Sequence, residues 1–281
     1  MRDGTTLSDR ARRQFEAPNP GPLFVADWER VLMIHYETDP TVLQPLVPFP
    51  LDLRDGRAYV SLVAFTQSGM RSYRGWRLFD RLLEPMATHE FLNLRTYVRV
   101  GREAGIYFLA EWLPNRLSVA LGPRAYGLPY RFGHVRYDHD HPNGRLRGVV
   151  LPDKATGPFV YSARVDPDTL FAPSAAGSLT EFLMERYTAF TARGTTRRAF
   201  RVWHPTWPQA PVVASVHDDR LVADSGDWYR YAEPVGANYS PGVRNVWLGS
   251  PRRCPQRPTT GARSRAACGA RFRASRRLIK S

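Results

Sequence analysis

Two consecutive runs of alternating residues, EFLNLRTYVRV (90–100) and GIYFLAEWL (105–113), constrain this chain more than any other feature. Alternation over that length has the period of a strand, and the glycine-flanked link GREAG between them suits a hairpin. In the first run Phe91, Asn93, Arg95, Tyr97 and Arg99 share one face, and Glu90, Leu92, Leu94, Thr96 and Val98 share the other. Further strands are predicted at ERVLMIHYET (29–38), RAYVSLVAF (57–65), GPFVYSARV (157–165) and VRNVWLG (243–249), and in RRAFRVWHP and PVVASV. YRFGHVRYD and GRLRGVVLP form a second hairpin around Asn143-Gly144. Helical signals are fewer. PNRLSVALGPRAYG (114–127) predicts a short helix. Ser178 to Ala192 predicts a longer one, with a Ser178–Glu181 capping box, apolar residues at helical spacing and Gly194 as its stop. Residues 67–88, containing GWRLFDRLLEPM, read as an amphipathic excursion or lid. Many strands with few helices in one block predict a mainly β, α+β domain with a large antiparallel or mixed sheet.

Charge divides the chain into parts. Residues 251–281 hold nine arginines, Lys280 and no acid, while residues 1–250 hold 30 basic residues against all 26 acids. We therefore expect a flexible lead over 1–22, a single β domain over 23–250 and a basic, disordered tail over 251–281. The tail reads as a shifted frame or neutral extension in preference to a nucleic-acid-binding segment. Both cysteines, Cys254 and Cys268, lie in it, so the body has no disulfide framework and no thiol chemistry. The polar start has no apolar signal region, and runs such as VLMI (31–34) are far too short to span a bilayer. A cytoplasmic protein with no membrane partner is expected. The basic residues are almost all arginine, with lysine only at Lys154 and Lys280. Arginine does not deprotonate in proteins and cannot serve as an amine nucleophile.

In order, FVADWERVLMIHYETDP, RAYVSLVAF, HEFLNLRTYV, GIYFLAEWL, RAYGLPYRF, SLTEFLMERY, HPTWP and YSPGV resemble the uncharacterised YqjF-like family of bacterial proteins, from about residue 23 to 250. More distantly, the frame is similar to acetoacetate decarboxylase: a Tyr-bearing strand, a Pro-rich link, a Glu-bearing strand, an Ala-rich short helix and a Gly-x-Pro turn. That resemblance implies a large cone-shaped β barrel with a few flanking helices and a buried pocket. It also implies site positions. Pro129 matches the decarboxylase turn, Tyr130 stands where a lysine would form a Schiff base, and Arg131 stands at the neighbouring cation. Glu90 matches a barrel carboxylate, a second carboxylate is absent near Val60 or Ser61, and Arg30 matches a pocket arginine one position out of step.

The expected site therefore uses Glu90 and Tyr130 for proton transfer and Arg131, Arg95 and Arg30 to hold an anion. Each has a plain alternative: a strand-end Glu paired to an Arg, a packed Tyr, a surface Arg. YDHDHPNG (137–144) clusters potential metal ligands, but on a hairpin turn where such residues are solvated, so no metal is expected. No nucleophile elbow, phosphate loop or dinucleotide fingerprint appears, so no cofactor is expected either. The resulting expectation is a protein that binds a small organic molecule, an acid in the first instance, without Schiff-base chemistry. The alternatives are an acid/base enzyme of lyase or isomerase type using Glu90 and Tyr130, and a nucleic-acid binder acting through the tail. An oligomer is compatible with the sequence.

Overall fold

The computed structural model describes residues 5–16, 21–154 and 157–254. Thirteen strands join in one sheet: β1 Phe24–Thr38, β2 Ala58–Ser72, β3 His89–Val100, β4 Glu103–Leu113, β5 Tyr130–Asp140, β6 Arg145–Pro152, β7 Phe159–Arg164, β8 Thr188–Arg193, β9 Thr196–Trp203, β10 Ala210–Pro211, β11 Val213–Asp218, β12 Glu233–Leu248 and β13 Arg252–Arg253. Six α-helices flank it: α1 Leu7–Glu16, α2 Pro40–Leu43, α3 Arg77–Leu83, α4 Arg116–Ala125, α5 Leu179–Met184 and α6 Arg220–Ala223.

The sheet closes on itself. The order β4-β3-β2-β1-β12-β9 runs through antiparallel pairs, and β8 joins β9 back to β4. The closing pair is parallel and short, Ile106↔Ala189 and Tyr107↔Phe190. Gly105 makes it possible: a Cβ there would lie 2.3 Å from the Thr188 carbonyl oxygen and 2.7 Å from the Phe190 ring. Beyond this point β4 turns to a different partner. Its end pairs in parallel with β5, Glu111↔Tyr130, and from there β6, β7 and β11 extend the sheet outside the barrel.

Two apolar clusters follow from the period of the strands. Outward-facing Leu62, Leu92, Leu94 and Trp112 pack against Tyr137, Leu146 and Phe159 of the extension. Inward-facing Met33, Val63, Phe65, Phe91 and Phe108 line the barrel.

The large mixed β barrel matches the fold expected from the strand count and the resemblance. Three local expectations change. The helix predicted from Ser178 ends at Met184, and residues 188–193 form β8. Its N-cap is as read, with the Ser178 hydroxyl accepting from the Glu181 N–H. The Glu181 carboxylate, however, accepts from Gly177 N–H rather than closing a box onto Ser178. Thr188-Ala189-Phe190-Thr191 satisfies both periods, and the free edges of β4 and β9 decide for the strand. The lead carries α1, which docks on β9: the Ser8 hydroxyl donates to the His204 carbonyl and Trp203 Nε1 to the Ser8 carbonyl. The start of the tail forms β13 on β9, and the rest of it lies outside the described residues. No helix among the described residues is long and apolar enough to cross a membrane.

Candidate functional site

The barrel encloses a cavity of about 440 Å³. The strand register gives its layout as successive rows. Gln67 and His89 face one another near one end, followed by Phe65 and Phe91, then Val63, Asn93 and Glu111, then Ser61 and Arg95. The first end is the mouth, flanked by α3 and by α4, which follows β4 there. The deep end closes on the last turn of α5. Arg95 Nη2 and the Tyr97 hydroxyl both donate to the Leu183 carbonyl, at 3.1 and 2.9 Å. Behind them Ser61 bridges Tyr97 and His35, at 2.6 and 2.7 Å.

Polar groups are few on these walls. Glu111 is 3% exposed and Arg95 8%. Burial holds the Glu111 carboxyl well above the usual carboxylate range, and the nearby Arg95 guanidinium offsets this only in part. Burial thus favours the protonated form of Glu111. Tyr130 is also pushed up, by burial first and then by Glu111. His89 is depressed to about 4 by burial and is neutral. Asn93 Oδ1, Arg95 Nε, Glu111 Oε2 and both His89 ring nitrogens are buried with no hydrogen-bond partner. Buried polar atoms normally find one, so their convergence on a single cavity marks a site built to receive polar groups. Arg186 also reaches the cavity: its Nη1 pairs with Asp52 at 2.8 Å and its Nε donates to the Phe182 carbonyl, while its Nη2 is buried with no hydrogen-bond partner.

Glu111 was hidden by a bulge. In GIYFLAEWL the period of two puts Ile106, Phe108, Ala110 and Trp112 on one face and Glu111 on the other. The pairing skips a residue: Leu94 faces Ala110, but Arg95 faces Phe108, so Leu109 is the extra residue. That inserted residue reverses the alternation. Glu111 then points inward beside Asn93, and Trp112 turns outward into the second core.

The five sequence-predicted residues do not meet in one place. Tyr130 and Arg95 line the cavity. The Tyr130 ring lies 5.8 Å from that of Phe91 and is held by α4 at Gly122, where a Cβ would come within 2.4 Å of it. Glu90 lies on the outer face of β3, as its parity with Leu92 and Leu94 requires. Its charge acts there on Tyr137, whose hydroxyl donates to the Phe91 carbonyl. Arg131, one residue beyond Tyr130, is exposed and lies over the outer face of Trp112, 5.4 Å from the ring centroid. The expected shared cavity for Glu90, Tyr130 and Arg131 is corrected accordingly: adjacent strand positions point to opposite faces, and Glu111 occupies the inner one. Arg30 sits at a bulge of β1 with φ 55°, which aims it away from the barrel interior. Its Nη2 donates to Thr66 Oγ1, and its carbonyl accepts from His139 Nδ1 at 2.6 Å. His139, Asp138, Asp140 and His141 form no metal-binding group among the described residues.

Comparison with known proteins agrees with this architecture. The model of the DUF2071 family, described as an uncharacterized conserved protein, matches residues 25–244. The uncharacterized protein YqjF of Bacillus subtilis (strain 168) is 30% identical over 183 residues, 64% of this chain and 72% of that protein. Among solved structures, the acetoacetate decarboxylase of Legionella pneumophila superposes with a TM-score of 0.58 at 14% identity, covering 87% of this chain and 94% of that one. An acetoacetate decarboxylase-like enzyme from Sphingomonas wittichii RW1 gives 0.56 at 17%, covering 83% and 93%. The enduracididine biosynthesis enzyme MppR, complexed with pyruvate, gives 0.55 at 14%, covering 84% and 91%. At these identities the structural likeness establishes the fold.

Proposed function

This chain belongs to the DUF2071 family, and from that premise we propose that it binds a small organic acid inside the barrel and moves a proton on it through Glu111. One observation carries the reading: a buried carboxyl and an arginine, each with an unpartnered polar atom, line one cavity whose walls are mostly apolar. Arg95 Nε offers a charged donor to a carboxylate. Phe65, Phe91 and Phe108 offer an apolar body its walls. MppR, which shares the fold, was captured with pyruvate, a small keto acid, and that supports the ligand class.

The chemistry that suits this pair is tautomerisation next to a carbonyl. The protonated Glu111 gives its proton to the carbonyl oxygen. Once ionised beside Arg95, it takes a proton from the adjacent carbon. The substrate leaves as its enol and Glu111 is again neutral, so charge and protons balance. Amine catalysis is not part of the proposal. Tyr130 holds the position that the resemblance gives to the lysine, and Lys154 is exposed in the loop after β6, away from the cavity. Borohydride reduction in the presence of acetoacetate should therefore leave the intact mass unchanged.

Phenylpyruvate, an aromatic keto acid, is a suitable probe. Calorimetric titration should detect its binding, and Arg95→Met should weaken it by about 1.5–3 kcal/mol, the scale of a charged hydrogen bond. Exchange of its α-hydrogens into D2O, followed by NMR, should be accelerated by the protein and not by Glu111→Gln. Unchanged affinity in Arg95→Met would remove the binding mode, and acceleration that survives Glu111→Gln would remove the proton-transfer role.

A further inference from the structure

The mouth of the barrel carries apolar side chains that the fold does not use. Helix α3 is three stripes at i, i+4 spacing. Phe79 and Leu83 turn into the cavity, Leu78 and Leu82 face solvent, and Arg77 and Arg81 form the third stripe. Trp76 is 60% exposed, Leu78 75% and Leu82 66%. Across the mouth, α4 exposes Leu117 and Leu121. The two walls are tied together where Asn115 Nδ2 donates to the Pro85 carbonyl at 2.6 Å. The exposed patch and the cavity are continuous, because Leu82 and Leu121 belong to both.

The charge around this patch is net positive. Residues 73–84 and 116–125 hold Arg74, Arg77, Arg81, Arg116 and Arg124 against Asp80 and Glu84, and of these arginines Arg116 pairs with Asp153 at 3.8 Å. Asp80 is turned back to the protein, accepting from the Ser72 N–H at 2.6 Å. A Trp and leucines surrounded by long arginines is the composition of a surface that lies in the headgroup region of an anionic bilayer. A second copy of the chain docked symmetrically would set these arginines against themselves.

We propose that the rim built from Trp76, Leu78, Leu82, Leu117 and Leu121 docks on an anionic lipid surface, so that the barrel opens toward the bilayer. This reverses the expectation of no membrane partner, which rested on the absence of a spanning run. Peripheral docking needs only one apolar face with basic neighbours. The proposal concerns the rim and does not depend on Glu111 or Arg95. Lipid-free binding of phenylpyruvate tests the cavity separately.

The test is sedimentation of the full chain with phosphatidylglycerol vesicles and with phosphatidylcholine vesicles, together with quenching of tryptophan fluorescence by brominated lipid. We expect binding to the anionic vesicles. We also expect quenching that is reduced in Trp76→Phe, and partitioning that falls about tenfold or more in the double variant Leu78→Ser, Leu82→Ser. Both leucines are exposed, so that variant should melt like the parent. The proposal is overturned by absence of vesicle binding. It is equally overturned by binding that keeps its strength in the leucine variant and leaves Trp76 unquenched, which would place the contact in the basic tail. Sedimentation velocity in which the leucine variant breaks up an oligomer would assign the rim to a second copy and overturn it too.

Discussion

At the scale of single residues, Glu111 is a group whose role and stability oppose each other. Burial raises its carboxyl well above the 4.5 at which it titrates in the unfolded chain. Above that pH the folded state retains a proton that the unfolded state has released, so stability falls as pH rises through the window. Glu111→Gln keeps the shape and removes the titration. It should raise Tm at pH 8 by about 2–6 °C, with a smaller gain at pH 5. Thermal melts across that range check it, and a gain that does not grow with pH would contradict the buried neutral acid. Gly122 acts on the same site by contact. Gly122→Ala drives a Cβ to 2.4 Å from the Tyr130 ring, which must move into the cavity. Phenylpyruvate affinity should fall with only modest loss of stability, a split that calorimetry and melting can separate.

At the scale of elements, the barrel depends on where β4 changes partner. Its first half closes the ring through β8, and its second half starts the outer sheet through β5. Gly105 sits at the closure, against backbone from β8. Because a carbonyl oxygen cannot step aside as a side chain can, Gly105→Ala should cost about 1–3 kcal/mol by overpacking, read as a lower urea midpoint with unchanged m-value. An unaffected midpoint would mean that the β4–β8 pair is free to open. The bulge at Leu109 lies between these two pairings and sets which side chain of β4 enters the barrel. A deletion of Leu109 would remove the bulge and restore simple alternation with Phe108 and Glu111 inside and Ala110 and Trp112 outside.

At the scale of the whole molecule, four buried histidines, His35, His89, His139 and His204, set an acid limit on stability. Burial depresses His35 to about 3 and His89 and His139 to about 4, and it lowers His204 as well, while each titrates near 6.5 when unfolded. Between about 4 and 6.5 the unfolded chain binds the extra protons. Stability therefore rises with pH across that window and falls as the pH is lowered through it. The Tm should climb from pH 4.5 to 6.5, where the histidines outweigh the opposing slope of Glu111, and then turn downward as Glu111 alone is left to act. A Tm that is flat from 4.5 to 6.5 would show that these histidines are not neutral in the fold. They sit in different places: His35 behind the cavity floor, His89 near the mouth, His139 between barrel and outer sheet. The limit therefore belongs to the fold as a whole and not to the site.

The sequence by itself determined the material of this protein. Alternation along 90–100 and 105–113 specified two strands and their hairpin, because the side-chain period of a strand is written in consecutive residues. The Asn143-Gly144 turn and the cap at Ser178 were legible for the same reason: each rests on a few adjacent groups, with Gly144 at φ 71°. Parity was also local: it put Glu90 and Arg95 on opposite faces of the strand, yet the expected site, which leaned on the distant resemblance for Glu90, set both in one pocket. What tertiary structure decided was everything that depends on a partner strand. Residues 188–193 are a strand because β4 and β9 leave edges that need pairing. Glu111 faces the cavity because one extra residue opposite β3 reverses the alternation, and a bulge is a property of two strands in register, not of either one. Arg30 left the site through another such irregularity. The candidate chemistry of this barrel thus rests on a pairing that no single stretch of the chain contains.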